Sequence, residues 1–307
     1  MQGGYAVTQR LAAGAVSRWD YAAIDQQRQR LYLTRGDHVD VLELPGGQLV
    51  GTIVNTQGVH GVAFSSALNL GFTSNGKSNS VTVFDLDTLA VKREFAVPGR
   101  NPDAILYESK GRRLYVFNGA SNSVDVIEVT GPESMQVVAS IKASGRPEFA
   151  AEDGHGRIYF NIEDNPGIDV IDTATQSITA RWKLDGCDEP TGLAMDTVRN
   201  RLFSTCQNGI VAVTDAESGK RVAEFKIGEK PDAIVYDAAS STLFTSGGGG
   251  NGTLTVTQQR DADHYESLKT LVTAKGAKTM AFDEKTKSIY LPTVVGESFV
   301  VIVATKH

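Results

Sequence analysis

Apolar residues recur at every second position, or in short β-branched runs, along nearly the whole chain. No stretch sustains the 3.6-residue period of an amphipathic helix. Segments such as Arg113-Leu114-Tyr115-Val116, Val81-Thr82-Val83-Phe84-Asp85 and Val124-Asp125-Val126-Ile127-Glu128 read as strands, and polar turns rich in glycine and asparagine separate them. The pattern predicts an all-β protein of many short strands.

The strands repeat as a unit. One phrase, proline, acid, small, apolar, then aromatic and acid, appears as Pro102-Asp103-Ala104-Ile105-Leu106-Tyr107-Glu108 and again as Pro231-Asp232-Ala233-Ile234-Val235-Tyr236-Asp237. Looser copies begin at Trp19-Asp20, His60-Gly61, Pro147-Glu148, Pro190-Thr191 and Lys278-Thr279. The marker positions are 20, 60, 103, 148, 191, 232 and 278, at spacings of 40, 43, 45, 43, 41 and 46. A second strand follows each copy (Arg30-Leu31-Tyr32-Leu33, Arg157-Ile158-Tyr159-Phe160, Arg201-Leu202-Phe203), then a Val-x-Val strand, then a fourth ending near a glycine.

Four antiparallel strands every ~40–45 residues make the blade of a β-propeller. Seven copies predict seven blades in one domain over residues 1–307. The seventh copy holds only three strands, and Tyr5–Leu11, ending at Gly14, carries the missing fourth-strand pattern. Residues 1–14 are therefore expected to complete the last blade and leave no open edge in the ring.

Composition narrows the partners. The 307 residues are 41% hydrophobic with a formal charge of −6, so no clustered basic surplus suggests nucleic-acid binding. No window approaches the ~18 uninterrupted apolar residues of a membrane helix. The first fifteen residues lack the basic start and apolar run of a secretory signal, so an exported form is expected to have lost its signal. A monomer is expected.

The segments NPDAILYE (101–108), RRLYVFNGASNSVDVIE (112–128) and KPDAIVYD (230–237) resemble those of the YVTN-repeat, YncE-like seven-bladed propellers, and the resemblance spans the chain. More remotely, the chain resembles the propeller lactonases. The family resemblance implies the propeller fold; a periplasmic or secreted address is expected from the pair Cys187 and Cys206. The resemblance assigns no activity, because function resides in sites and not in the fold.

In such a propeller the first strand of each blade lines the central channel, and the loop leading into it lies at the channel mouth. The phrase then places Asp20, His60, Asp103, Glu148, Thr191, Asp232 and Lys278 around that mouth. Arg18, Trp19, Arg100, Asn101, Arg146, Glu189 and Lys230 stand just upstream, and Arg35, Ser74, Asn75, Asn118, Glu163, Gln207 and Thr293 in the second loop. The candidate ligand-binding set is Arg18, Trp19, Asp20, His60, Arg100, Asp103, Arg146, Glu148, Glu189, Lys230, Asp232 and Lys278. Acids and bases interleave in it, which suits a polar or zwitterionic ligand or else a ring that salt-bridges itself. Trp19 offers a stacking wall. The apolar positions of the repeat stay alike while the polar ones diverge, as an asymmetric ligand requires. The structural alternative is that each acid accepts backbone N–H groups at its strand start. Asp20, His60, Asp103 and Glu148, from four consecutive blades, are the candidate set for a divalent cation. No other cofactor is expected.

Cys187 leads into blade five and Cys206 ends the second strand of that blade. Adjacent strands lie ~5 Å apart, within reach of a disulfide. The family resemblance points the same way, and a bridge would favour an oxidising compartment. Two reduced thiols in a cytosolic protein are the alternative. Gly247–Gly252 satisfies a Gly-x-Gly-x-x-Gly pattern in letters, but the Thr253–Thr257 run after it is a strand and not the helix that a dinucleotide site needs. Nucleophile-elbow, zinc-protease and EF-hand motifs are missing from the chain. The expected function is binding of a small polar ligand or a partner protein at the mouth. The alternative is a hydrolase, lyase or lactonase-like enzyme there, metal-dependent or not.

Overall fold

The computed structural model describes residues 4–307. Seven four-stranded antiparallel sheets follow one another around a ring, six with their strands in sequence order from the channel outward and the seventh with the N-terminal strand outermost. The innermost strands are Ala22–Asp25, Val59–Ser65, Pro102–Glu108, Pro147–Glu152, Pro190–Asp196, Pro231–Asp237 and Ala281–Asp283. Among the described residues no helix is long and apolar enough to cross a membrane.

Closure follows the expected route. Tyr5–Ala15 pairs antiparallel with the last strand, Ser298–Lys306, and supplies the outer strand of blade seven. The strand is longer than Tyr5–Leu11 because pairing resumes beyond a bulge, with Ala15 opposite Ser298. Tyr5, Leu11 and Ala13 are buried there.

Second-strand aromatics fill the spaces between sheets. Tyr32, Tyr115, Tyr159 and Tyr290, all from the recurring Arg/Ser-apolar-Tyr run, are fully buried. The arginine that opens this run braces the next blade. Arg30 donates to the Leu86 carbonyl at 2.6 Å, Arg113 to the Thr173 carbonyl at 2.6 Å, and Arg201 to Asp263 at 2.8 Å. That brace is a structural reason for the arginine to repeat.

Irregular pairing at the start of the inner strands shapes the mouth. In blades two to six the register shifts just after the first pair, as between Pro102 and Ile105 or Pro147 and Ala150. In blades one and seven regular pairing begins only at Ala22 and Ala281. A bulge frees one residue from the ladder and re-aims its side chain. The marker residue of the phrase occupies this stretch in each blade.

Candidate functional site

Blades one to three bring Asp20, His60 and Asp103 together. His60 Nδ1 lies 2.6 Å from Asp20 Oδ2 and 3.5 Å from Asp103 Oδ1. The three ligating atoms lie within 4.8 Å of one another. Glu148, expected as a fourth member, stands outside this cluster. It accepts a hydrogen bond from the Tyr21 phenol at 3.2 Å, and one of its oxygens lies 4.0 Å from the Arg146 guanidinium. Arg146 pairs more closely with Glu163. On the far side Lys278 Nζ contacts Asp232 Oδ2 at 2.6 Å.

The carboxylates do not serve the backbone. Among the described residues, no backbone N–H donates to the side chains of Asp20, Asp103, Glu148 or Asp232. Hydroxyls and amides of the second strands tie the inner strands instead. Thr34 donates to the Tyr21 carbonyl at 3.0 Å, Asn161 to the Thr191 carbonyl at 2.9 Å, and Ser74 and Ser246 to the Asp103 and Lys278 carbonyls. Acids that do cap backbone lie elsewhere, at turns: Asp25 accepts from Gln27 N at 3.0 Å, Asp172 from Thr175 N at 2.7 Å, and Asp215 from Ser218 N at 2.8 Å. Backbone capping therefore describes the turn acids, while the ring acids pair with side chains of neighbouring blades, Asp20 with His60 and Asp232 with Lys278.

Charge in the mouth is layered where the sequence pattern suggested interleaving. His60, Glu148 and Asp232 are each only 9% exposed, whereas the side chains of Arg146 and Lys278 are 47% exposed. Arg18, Arg100, Glu189 and Lys230 are exposed on the rim, and none of the described ion pairs involves them. The reason is steric. An acid side chain is short and stays at the channel wall, while a long basic one carries its charge outward to water. The deeper layer is consequently acid-rich. Burial, the Asp103 charge and the Asp232 charge together push the Glu148 carboxyl up to about 8, against Arg146 and the Tyr21 hydrogen bond. Burial, with Asp20 and Asp232 adding to it, pushes Asp103 up to about 6, against the pull of His60 and Arg146. Burial raises Asp232 in spite of Lys278. Burial alone would lower His60, but the Asp20 hydrogen bond and the Asp103 charge outweigh it and leave the imidazole raised.

An aromatic pair floors the mouth. Tyr21 and Phe149, from blades one and four on opposite sides of the ring, meet edge to face with centroids 5.1 Å apart. Below them lies an apolar channel, with a cavity of about 130 Å³ lined by Ala22, Ala23, Val62 and Leu106, and a larger one of about 530 Å³ reaching Asp237 and Lys287 at the opposite face. Sequence reasoning passed over this pair, yet a signal was present. The residues after the marker are Tyr21, Gly61, Ala104, Phe149, Gly192, Ala233 and Thr279. Two large rings among small residues fill a narrow channel that admits no more. The small ones are needed: a β-carbon on Gly192 would stand 2.8 Å from the Asp232 carbonyl oxygen.

Two candidates from the sequence take structural roles. Trp19 turns its ring onto Phe299, at 5.5 Å between centroids, and so packs against blade seven. Arg35 is buried away from the mouth. It donates to the carbonyls of Ala13 (2.7 Å) and Ala15, to Ser17 Oγ (2.8 Å) and to Asp40 (3.0 Å), with its guanidinium 3.8 Å from the Phe299 ring centroid. Cys187 and Cys206 form a disulfide that braces the loop leading into blade five.

No family model matches the chain, and no curated protein matches it. Solved structures match in number. A chain of "Crystal Structure of Mitotic Checkpoint Complex" superposes with a TM-score of 0.83 at 11% identity, covering 98% of this chain and 92% of the other. A chain of Kuenenia stuttgartiensis hydrazine synthase gives 0.80 at 16% identity, with 98% of both chains covered. A structure of U3-55K gives 0.80 at 11% identity, covering 95% and 97%. At these identities the likeness is one of fold.

Proposed function

We propose that this chain is an extracytoplasmic, YncE-like propeller whose channel mouth binds a small polar ligand, or a segment of a partner protein, through a positively charged or hydrogen-bond-donating group. One observation carries the reading: Asp20, Asp103, Glu148 and Asp232 converge above the aromatic floor without backbone donors, while the bases lie further out. Burial, with neighbouring carboxylates adding to it, raises Asp103 and Glu148, so the protein lacks the positive charge that would keep both ionised. A bound ammonium or guanidinium group supplies the missing charge. Tyr21 and Phe149 exclude water beneath it, and a charged hydrogen bond in such a place is worth about 1.5–3 kcal/mol. The Cys187–Cys206 bridge supports the extracytoplasmic address. The repeat phrases at 101–128 and 230–237 support the family. A similar propeller found in a Mitotic Checkpoint Complex is consistent with a protein partner.

The test is calorimetric titration with a panel of primary amines, amino acids and basic peptides. Affinity for a cationic ligand should rise with pH as Asp103 and Glu148 ionise, through about 6 and about 8. Asp232→Asn combined with Glu148→Gln should weaken it at least about tenfold. Binders that are all anionic, or that ignore both substitutions, would overturn the reading.

A second reading, a hydrolase, lyase or lactonase-like enzyme, draws on the separation of Asp103 at about 6 from Glu148 at about 8. Two acids held apart across neutrality can serve as base and acid. Turnover of lactones or esters that disappears in Glu148→Gln would favour it over simple binding.

A further inference from the structure

We propose that Asp20, His60 and Asp103 bind one divalent first-row transition-metal ion at the rim of the acidic layer. The inference deepens the reading of the mouth as the binding face and rests on it. Three blades each contribute one donor, and the donor set is one imidazole nitrogen with two carboxylate oxygens. Ligands bonded at ~2.0–2.1 Å in a tetrahedral shell stand roughly 3.3 Å from one another. His60 Nδ1 and Asp103 Oδ1 already stand at 3.5 Å, and Asp20 Oδ2, at 2.6 Å from the same nitrogen, need only swing outward. Imidazole with carboxylates suits zinc or manganese, whereas calcium and magnesium favour oxygen alone. Three protein ligands leave a coordination position for a ligand entering the mouth.

A second, independent feature concerns the other side of the imidazole. When Nδ1 ligates, Nε2 carries the proton and needs an acceptor, as the free nitrogen of a metal-bound histidine ordinarily has. The His60 side chain is 11% exposed, and its Nε2, which makes no hydrogen bond to the described residues, keeps access to solvent. That nitrogen is directed at Gly76. A β-carbon on Gly76 would stand 2.8 Å from His60 Nε2 and 2.6 Å from Asn101 Oδ1. Gly76 does not have the positive φ that would itself demand glycine, so what glycine provides there is space. The space leaves room for a water between the Asn101 amide oxygen and the imidazole N–H, a bridge that would fix the tautomer exposing Nδ1 to the two carboxylates. Glu148, as it ionises through about 8, adds negative charge beside Asp103 and favours a cation over an internal imidazolium alone.

The experiment is zinc titration of chelator-stripped full-length protein by calorimetry at pH 7.5, with calcium as the comparison ion, joined to X-ray absorption at the zinc edge. One zinc per chain is expected, with calcium bound far more weakly. The absorption spectrum should show a nitrogen/oxygen shell containing a single imidazole and no sulfur. Asp103→Asn should weaken zinc roughly 100-fold or more, beyond the loss typical of second-layer partners. His264→Gln, at an exposed site, and His38→Gln, half-buried beside Asp37, should leave the affinity unchanged. Melting in chelator tells whether each variant is folded, and the spectrum of the unmutated protein stands without any variant. Absence of stoichiometric zinc, zinc retained in folded Asp103→Asn, or a shell of two or more imidazoles would overturn the site. Amine binding without zinc sinks the metal site alone. Zinc at this triad without any organic or peptide ligand sinks the broader reading and leaves the metal site standing.

Discussion

Glu148 sits under strain that the fold tolerates. It is buried, it faces two other carboxylates, and its partners are a phenol and a partly exposed guanidinium. Its folded value of about 8 lies above the ordinary 4.5. Between those values the folded chain holds more protons than the unfolded one, so this group's contribution to stability is complete below about 4.5 and is lost as pH rises through 8. Glu148→Gln keeps the shape and the Tyr21 contact and removes the titration. Its melting temperature should match the parent protein at pH 4.5 and exceed it by roughly 2–5 °C at pH 9. Scanning calorimetry at the two pH values checks this, and an equal shift at both would refute the account.

Arg35 shows how one side chain serves a whole element. Its fork reaches two carbonyls of the closing strand, Ala13 and Ala15, while Asp40 balances the charge and Phe299 covers the guanidinium plane. Arg35→Ala leaves two carbonyls without their donor and Asp40 with the Thr52 hydroxyl in place of a guanidinium, and losing one partner of such a pair costs about 3–5 kcal/mol. Denaturant unfolding should show it, and a change below about 1 kcal/mol would mean the clasp is idle. The disulfide works on the loop leading into blade five in a different way. It closes a segment of 19 residues and restricts the unfolded chain, worth about 3 kcal/mol. Thiol titration of denatured, unreduced protein should find no free thiol, and replacing both cysteines by serine should lower stability by about that amount. Two titratable thiols in material from an oxidising compartment would refute the bridge.

The ring as a whole depends on its closing strand. Tyr5–Ala15 buries Tyr5 and Leu11 and covers the edge of Ser298–Lys306. Deleting residues 1–14 exposes that edge and removes two large buried side chains. Each buried side chain of that size is worth about 1.5–3 kcal/mol, so the melting temperature should fall by roughly 8 °C or more. The uncovered edge should also promote association, visible by size-exclusion chromatography. A truncated protein that melts with the parent and stays monomeric would show that closure does not hold the ring.

How far the chain could be read without coordinates follows from the reach of each interaction. Alternation, the Pro-acid phrase and the Arg-apolar-Tyr run are local, and each blade must satisfy the same ladder and the same packing against its neighbours. Blade number, strand order and the Tyr5–Leu11 closure were therefore legible in the sequence of residues. The marker positions were legible too, because the phrase sets one residue per blade beside the channel. Convergence was not, since the repeat spacing leaves open which way a side chain turns after a bulge. Only the folded ring joins Asp20, His60 and Asp103 while Glu148 goes to Tyr21. Only the ring lays Trp19 on Phe299 and makes Arg35 a clasp. Only the ring sets Tyr21 against Phe149, residues 128 positions apart in the chain, because blades one and four face each other across the channel. Periodicity along the chain determines the blades, and the curvature that closes seven of them decides which side chains share the space at the centre.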